Sequence, residues 1–298
     1  MAGAPDRTGA DHRSGMVERG RTLSLLAHGT LILGVMVMVL PVYLAFIAST
    51  HPGADFLTGR IGFLPGRQML ENYAAVLFAG TSTAGFPPVW PMLWNSFVMA
   101  MGIAVGKIAI SLLSAFAICY FRFPFRVAAF WVIFLTLMLP VEVRILPTYQ
   151  VVAGLGLLNS ASGLILPLIA SATATFLFRQ VFMTIPDELT EAALMDGAGP
   201  LRFFWSILLP LSRANIGALF VILFIYGWNQ YLWPLMVTTE TGHYTIVTTI
   251  QRLASTALEE APVWHLVMAA AILAMLPPVL VIALMQRLFV KGLIEAEK

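Results

Sequence analysis

The chain has 298 residues, of which 59% are hydrophobic and only 11% are charged. A soluble domain is roughly 45–50% apolar and about 25% charged, so this composition, with a mean hydropathy of +0.86, excludes an ordinary soluble enzyme and a disordered protein. The formal net charge of +2 is too small to indicate nucleic-acid binding, and the single cysteine, Cys119, cannot form a disulfide within the chain. An integral membrane protein is the class that remains.

Six apolar segments separated by charged residues predict six membrane-spanning helices, because a helix needs about 20 apolar residues to cross the hydrocarbon core. The predicted spans are 23–49, 93–120, 127–148, 159–181, 213–237 and 264–287. Residues 1–21 are rich in Gly, Arg and Asp and are predicted to form a disordered cytoplasmic tail, which leaves 22–298 as one transmembrane domain. The first span is too long for the core of a secretory signal and lacks a small-x-small cleavage site, so we expect it to be retained.

Lysine and arginine residues are distributed unevenly between the two sides that six spans define. Twelve of the seventeen fall in or beside the N-terminal tail, the 121–126 hairpin, the 182–212 loop and the C-terminal tail. The loops of the opposite side hold only Arg60, Arg67 and Arg252. Because loops rich in Lys and Arg stay in the cytoplasm, both termini are predicted to be cytoplasmic.

The loop at 184–210 differs from the rest of the chain, because it concentrates four acidic residues in an otherwise apolar protein. Thr184 is the predicted N-cap of a short helix, Asp187–Met195, whose first-turn carboxylates complement the helix dipole. Gly197 suits the left-handed position that follows the end of a helix. The loop therefore begins with a short helix that ends in a sharp turn.

A second short helix is predicted from Pro200 to Pro210, since proline is favoured in the first turn of a helix. Ala192 and Ala193 carry little bulk, so another protein could approach the first helix closely. Two helices joined by a turn at the surface of a membrane protein suggest a docking element, and a solvated loop is the alternative.

One motif in this loop carries a family resemblance. Glu191-Ala192-Ala193, three residues, Gly197, nine residues and then Ile207-x-Leu209-Pro210 reproduce the EAA motif of bacterial ABC-importer permeases. The resemblance implies that the loop is a coupling helix seated in a cleft of an ATPase subunit. It assigns the contact with the ATPase to Glu191, Ala192, Ala193, Asp196, Gly197, Leu209 and Pro210.

Further segments resemble the MalG-like, carbohydrate-type permeases of that family. They are Asn72-Tyr73, the Phe121–Arg126 hairpin, Trp228–Pro234 and Gln286–Gly292. Longer runs are similar to permeases of sn-glycerol-3-phosphate importers, namely 80–85, 94–118, 137–149, 166–180 and 220–235. The resemblance implies an all-α permease of the type I ABC-importer fold with six transmembrane helices. It also implies a second homologous permease, two ATPase subunits and a periplasmic binding protein, with ATP and Mg bound by the ATPase and no cofactor bound by this chain.

Ionisable residues inside predicted spans are candidates for function. Lys107 lies midway along the second span, and Glu142 and Arg144 lie near the outer end of the third. Glu142 and Arg144 are two positions apart on a helix and cannot pair side by side. Two cations and one carboxylate fit an anionic solute such as a phosphate ester, which Arg144 could bind bidentately and Lys107 as a point charge. The alternatives are that Arg144 only extends to the interface and that Lys107 forms an ion pair with the second permease.

Polar and small residues mark two further positions in the spans. Asn229, Gln230 and Tyr231 lie near the middle of the fifth span, where they could line a pathway or tie helices together. Gly102 and Gly106 form a G-x-x-x-G pattern that predicts close helix packing.

The sequence lacks the motifs of several other functions. It contains no G-x-x-x-x-G-K-[ST] phosphate loop, and its five histidines do not have the spacing of metal ligands. These absences favour a transport subunit without its own ATPase site. The resemblance implies an inner-membrane importer of sn-glycerol-3-phosphate or glycerophosphodiesters that works by alternating access. The alternatives are a permease for a neutral sugar or oligosaccharide, an ion-coupled secondary transporter and an intramembrane enzyme.

Overall fold

The computed structural model describes residues 8–80, 87–136, 141–259 and 263–296, apart from the side chains of 8–22, 57, 141–142, 256–259 and 287–296. The regular structure in these ranges is helical. The helices are α1 Thr8–Ser49, α2 Gly53–Thr58, α3 Met69–Ala74, α4 Trp90–Tyr120, α5 Arg126–Leu135, α6 Val141–Gly154, α7 Ala161–Ile165, α8 Ala172–Met183, α9 Asp187–Met195, α10 Pro200–Phe203, α11 Leu209–Leu211, α12 Arg213–Trp228, α13 Leu232–Val237, α14 Ile246–Glu259 and α15 Trp264–Ala296.

Three of the predicted spans are confirmed as single helices long and apolar enough to cross a membrane: Leu23–Ser49, Trp90–Tyr120 and Trp264–Gln286. The first belongs to α1, which begins at Thr8 and therefore extends into the segment predicted as a tail. The predicted 127–148 span corresponds to α5 and α6, with residues 137–140 outside the described ranges.

The other two predicted spans are broken. The 159–181 segment contains α7 and α8, which meet at an angle of 50°. A short 3-10 turn, Leu166–Leu168, and the side-chain cap of Ser171 on the Ala174 N–H separate the two helices. The 213–237 segment ends as a helix at Trp228 and resumes at Leu232, so the prediction of one continuous helix there was wrong.

Helix α4 lies at the centre of the bundle and packs against α8 and α12. Gly102 of α4 allows α7 to come close, because a Cβ atom on Gly102 would lie 2.6 Å from Ile165 Cδ1. A Cβ atom on Gly227 of α12 would likewise lie 2.9 Å from Ala100 Cα. The close packing predicted from the G-x-x-x-G pattern is therefore confirmed.

Helix α12 is also fixed against α15, where the buried Trp228 indole donates from Nε1 to the Ala274 carbonyl at 3.1 Å. Phe178 of α8 and Phe224 of α12 are fully buried in the same core. Since lipid is as apolar as these rings, close packing of the side chains, and not their removal from water, holds the helices around α4 together.

Asparagine side chains connect the loops at one end of the bundle. Asn72 is buried and donates to the carbonyl oxygens of Ser49 and His51 at 2.9 and 3.0 Å. Asn159 accepts the Thr239 N–H at its Oδ1 atom at 2.7 Å. The bonds of Asn72 satisfy carbonyl groups at and after the end of α1, and the bond of Asn159 connects the two broken spans.

Helix α1 exposes most of its apolar surface within this chain. Residues 23–44 are exposed on all sides, whereas Ile47, Ser49 and Thr50 at the C-terminal end are buried. An apolar helix with no polar face requires lipid or another protein around it, so this helix is suited to a membrane environment.

A candidate substrate cavity and a coupling loop

The structure brings residues from three predicted spans to one cavity of about 580 Å³. Lys107 comes from α4 and Arg144 from α6, and the 229–231 segment connects α12 to α13. These residues are far apart in the sequence, and the broken helices bring them together. The cavity therefore contains the described side chains that the sequence nominated for a substrate pathway.

Lys107 is the buried cation of the cavity, with 7% of its surface exposed. Its Nζ atom lies 3.8 Å from the ring centroid of Tyr226, a cation–π contact. Among the residues whose side chains are described, Lys107 has no carboxylate partner. A buried ammonium without an anion is costly, so the ring of Tyr226 offsets only part of what an anionic partner would supply.

Arg144 contributes the second positive charge and is exposed towards the cavity. Arg144 and Lys107 both line the cavity, so two positive charges face the same space. The side chain of Glu142 lies outside the described residues, so the predicted carboxylate has no described place in this site. The charge of the described lining is positive, which favours a negatively charged ligand.

The break between α12 and α13 places three polar residues at the cavity. The last hydrogen bond of α12 runs from the Asn229 N–H to the Ile225 carbonyl at 3.0 Å. Pro234 lacks the N–H that would bond the Gln230 carbonyl in a continuous helix, which favours an interruption here, although α15 continues through Pro277 and Pro278. Unwound backbone at membrane depth is tolerated where it lines a cavity, and the interruption exposes polar groups for a ligand.

The two helices beside the break are anchored separately. The Gln230 side chain donates to the Tyr226 carbonyl at 3.2 Å, which satisfies a group at the end of α12. The buried Trp233 indole donates to the Gly163 carbonyl at 3.2 Å and fixes α13 against α7. These contacts hold the polar segment in place at the edge of the cavity.

Sequence reasoning missed Tyr226 and Thr148 as lining residues. Tyr226 precedes Gln230 by four positions, so helical spacing would have placed it beside the polar segment. Thr148 follows Arg144 by four positions, and its hydroxyl donates to the Arg144 carbonyl at 2.7 Å. Both residues could have been found from their spacing along a single helix, but that spacing does not indicate that Tyr226 contacts Lys107.

The 184–210 loop has the predicted first helix, Asp187–Met195. Gly197 adopts a φ of +68°, the left-handed conformation expected after the end of that helix. The Gly197 N–H bonds the Leu194 carbonyl at 3.0 Å, and the Ala198 N–H bonds the Ala193 carbonyl at 2.9 Å. These bonds satisfy carbonyl groups at the end of α9 and make the sharp turn rigid.

Two other predictions for the loop need correction. Thr184 does not cap α9, because its hydroxyl donates to the Val181 carbonyl at the end of α8 and Pro186 occupies the N-cap position. Ala193 is only 5% exposed and packs in the core of this chain, so its small size serves internal packing. Ala192 is exposed and keeps the role of allowing close approach.

The second half of the loop is less regular than predicted, because a π-helical turn, Phe204–Leu208, separates α10 from α11. The helices of this half meet α12 at 73°, and Phe203, Phe204 and Leu208 pack in the same core as α4 and α12. Leu209 and Pro210 are half-buried where the loop joins the bundle.

The far end of the loop is exposed and apolar. Met195 is 89% exposed, and Leu194 and Leu201 are also exposed. The carboxylates of Glu191 and Asp196 are exposed beside them. An exposed patch of apolar side chains with charged neighbours is typical of a protein interface, so this end of the loop has the composition of a docking surface.

The helical fold, the apolar spans and the loop define an inner-membrane component of a binding-protein-dependent transport system, whose family description matches residues 107–295. The chain belongs to this family and is a multi-pass transport subunit of the ABC-importer permease class. Among curated relatives, it is similar to the sn-glycerol-3-phosphate transport system permease protein UgpE. The identity is 55% in Brucella melitensis, 54% in Agrobacterium fabrum and 53% in Salmonella typhi, in each case over 95% of this chain and 100% of the relative.

Two solved structures have a similar fold. One is a bacterial ABC transporter involved in the import of the acidic polysaccharide alginate, with a TM-score of 0.75, 20% identity and coverage of 95% of this chain and 99% of that chain. The other is a bacterial alginate ABC transporter in complex with an alginate pentasaccharide-bound periplasmic protein, with a TM-score of 0.56, 15% identity and coverage of 91% and 94%. At these identities the likeness shows the fold alone.

Proposed function

We propose that this chain is a permease subunit that carries sn-glycerol-3-phosphate or a related glycerophosphodiester across the inner membrane. The observation that carries the proposal is the meeting of two cations from separate helices, Lys107 and Arg144, at one cavity of about 580 Å³. The names of the curated relatives support the same substrate. A phosphate group complements this charge, whereas a neutral sugar leaves both cations without a partner.

The lining residues of the cavity would bind different parts of the substrate in different ways. Arg144 has the planar guanidinium that binds phosphate oxygens in pairs, and Lys107 supplies a compact charge from the buried side. The phosphate would replace the weaker contact between Lys107 and Tyr226 with an ion pair. Asn229, Gln230 and Tyr231 line the same cavity and would hydrogen-bond the glycerol hydroxyl groups.

The 184–210 loop is proposed to dock on an ATPase subunit. Its exposed apolar residues and the rigid turn at Gly197 support this role, since a rigid element transmits motion from one protein to another. Glu191 would make a charged contact and Ala192 would allow close approach. Both termini and this loop would then be cytoplasmic, as the distribution of Lys and Arg predicts.

The remaining parts of the importer are proposed by analogy with the family. A second, UgpA-like permease would complete the pathway, two ATPase subunits would bind ATP and Mg, and a periplasmic binding protein would deliver the solute. The solved neighbour in complex with a periplasmic protein supports the last of these. Closure of the ATPase dimer would move the loop and switch the spans between inward-facing and outward-facing states.

The function is tested by uptake into vesicles that contain the complete importer, with its binding protein outside and ATP inside. We expect ATP-dependent uptake of labelled sn-glycerol-3-phosphate that excess unlabelled glycerophosphate inhibits and maltose does not. Uptake of maltose in place of glycerophosphate would indicate a sugar permease. Undiminished uptake in vesicles without ATP would indicate an ion-coupled transporter and overturn the proposal.

A further inference from the structure

A second cavity, of about 600 Å³, lies at the end of the bundle that carries the 184–210 loop. It is enclosed by the C-terminal ends of α4 and α8 and by the beginnings of α5 and α9. Three arginines line it, Arg122, Arg126 and Arg179, and Asp187 is the one carboxylate among the described lining residues. The proposed transport cycle assigns no role to this concentration of positive charge.

The arginines of this cavity are not neutralised by the described part of the chain. The guanidinium carbon of Arg179 lies 4.4 Å from the ring centroid of Phe130, which orients the side chain but leaves its charge. Among the described residues, Arg122, Arg126 and Arg179 form no ion pair with a carboxylate. An anion that enters the cavity therefore meets three guanidinium groups opposed by one exposed carboxylate.

The cationic cavity continues into an apolar surface. A neighbouring cavity of about 560 Å³ shares Arg122 and Arg126 and is bounded by Phe125, which is 83% exposed. Val127 and Trp131 of α5 are also exposed, and α5 buries none of its residues fully. The arginines thus lie where a hairpin between two spans meets the exposed apolar side of α5.

We propose that this cavity binds the phosphate headgroup of an anionic phospholipid such as phosphatidylglycerol, with the acyl chains along α5. Guanidinium groups bind phosphate oxygens with high affinity, and basic pockets between spans at a membrane surface bind anionic headgroups. A soluble phosphate ester would use the arginines but would leave the apolar surface of α5 uncovered. The combination of charge and adjoining apolar surface fits a lipid.

Cys119 provides a reporter, because it lines the same cavity and is the single cysteine of the chain. The intact importer is placed in nanodiscs of phosphatidylcholine alone or mixed with phosphatidylglycerol. The rate at which N-ethylmaleimide modifies Cys119 is then followed by peptide mass spectrometry. We expect modification to be severalfold slower with phosphatidylglycerol, because a bound headgroup covers the thiol.

Substitutions that remove arginine charges test whether the protection of Cys119 depends on this cavity. The pair Arg126→Gln and Arg179→Gln should remove the protection, since each arginine near an anionic lipid contributes about fivefold in affinity and two contribute about thirtyfold. Arg202→Gln removes a charge at the same end of the bundle but outside the cavity, so it should keep the protection.

Three results would overturn the proposal. Equal modification rates in the two nanodiscs show that the cavity does not select an anionic lipid, and this comparison uses only the unmodified protein. Equal protection by soluble sn-glycerol-3-phosphate in phosphatidylcholine nanodiscs shows a site for free anions. Protection that survives the loss of both arginines shows a general effect of the charged membrane surface.

Discussion

The ammonium of Lys107 rests on the face of the Tyr226 ring, 3.8 Å from its centroid, one helical turn before the break between α12 and α13. The contact joins the central helix of the bundle to the segment that carries the polar residues of the cavity. A cation–π contact of a desolvated ammonium contributes about 2 kcal/mol. Tyr226 therefore stabilises a buried charge that the proposed substrate would neutralise.

Two substitutions of Tyr226 distinguish the contribution of its aromatic ring from the contribution of its hydroxyl group. Tyr226→Phe keeps the ring face and should retain uptake and thermal stability close to those of the unmodified chain. Tyr226→Leu removes the cation–π contact and should destabilise the substrate-free chain by about 2 kcal/mol. Thermal unfolding of the purified importer with and without sn-glycerol-3-phosphate measures the difference. Equal thermal stability of the Phe and Leu variants would show that the cation–π contact does not stabilise the chain.

Loss of either cation should weaken substrate binding. Lys107→Gln and Arg144→Gln should each raise the KM for sn-glycerol-3-phosphate roughly 10- to 100-fold, the value of a hydrogen bond to a charged group. Arg144→Lys retains the charge but loses the paired geometry, so its effect should be intermediate. The matched control is Arg60→Gln, an exposed residue outside the cavity, which should leave KM unchanged. Normal uptake by both Gln variants would refute the phosphate site.

The turn at Gly197 should be required for coupling. A side chain at a φ of +68° is strained, although less so for Asp than for most residues, and the added carboxylate would lie in the exposed turn beside Asp196. Gly197→Asp should therefore abolish ATP-driven uptake while leaving the protein in the membrane fraction. Gly199→Asp is the matched control, because Gly199 has a φ of −70° and a Cβ atom there meets open space. Uptake assays and immunoblots of the membrane fraction compare the two. Normal uptake by Gly197→Asp would contradict the coupling role.

The two alanines of the motif should behave differently when enlarged. Ala193→Leu inserts bulk into the packed core and should lower stability by about 1–3 kcal/mol. Ala192→Leu projects from the exposed face, so it should leave stability unchanged and reduce co-purification of the ATPase. Thermal unfolding and subunit ratios after affinity purification measure the two effects. Loss of stability in both variants would mean that both residues serve internal packing.

Close packing at Gly106 should depend on its neighbour in the broken span. A Cβ atom on Gly106 would lie 2.5 Å from Ile169 Cγ2, so Gly106→Ala should destabilise the chain by about 1–3 kcal/mol. Gly106→Ala combined with Ile169→Ala should recover part of that loss, because the second change removes the colliding atom. Gly34→Ala is the control, since a Cβ atom on Gly34 meets open space. Thermal unfolding that shows no recovery in the double variant would exclude this contact as the cause.

The sequence by itself determined the features that depend on local chemistry. The helix Asp187–Met195 and the turn at Gly197 follow from residues within one short segment, and the structure has both. The three long spans follow from the apolar length that a membrane requires. The close packing at Gly102 also follows from its spacing to Gly106.

Only the tertiary structure decided which of these residues meet. Hydropathy averages over a window and does not register the break after Trp228, and a proline does not predict it either, because α15 continues through Pro277 and Pro278. The unwound backbone is tolerated because it lines the cavity. The burial of Ala193 depends on side chains from other helices. The meeting of Lys107 with Tyr226 and Arg144 at one cavity likewise requires helices that are distant in sequence to pack around one centre. A linear sequence specifies the face of each helix, whereas the packing of the helices determines which faces share a site.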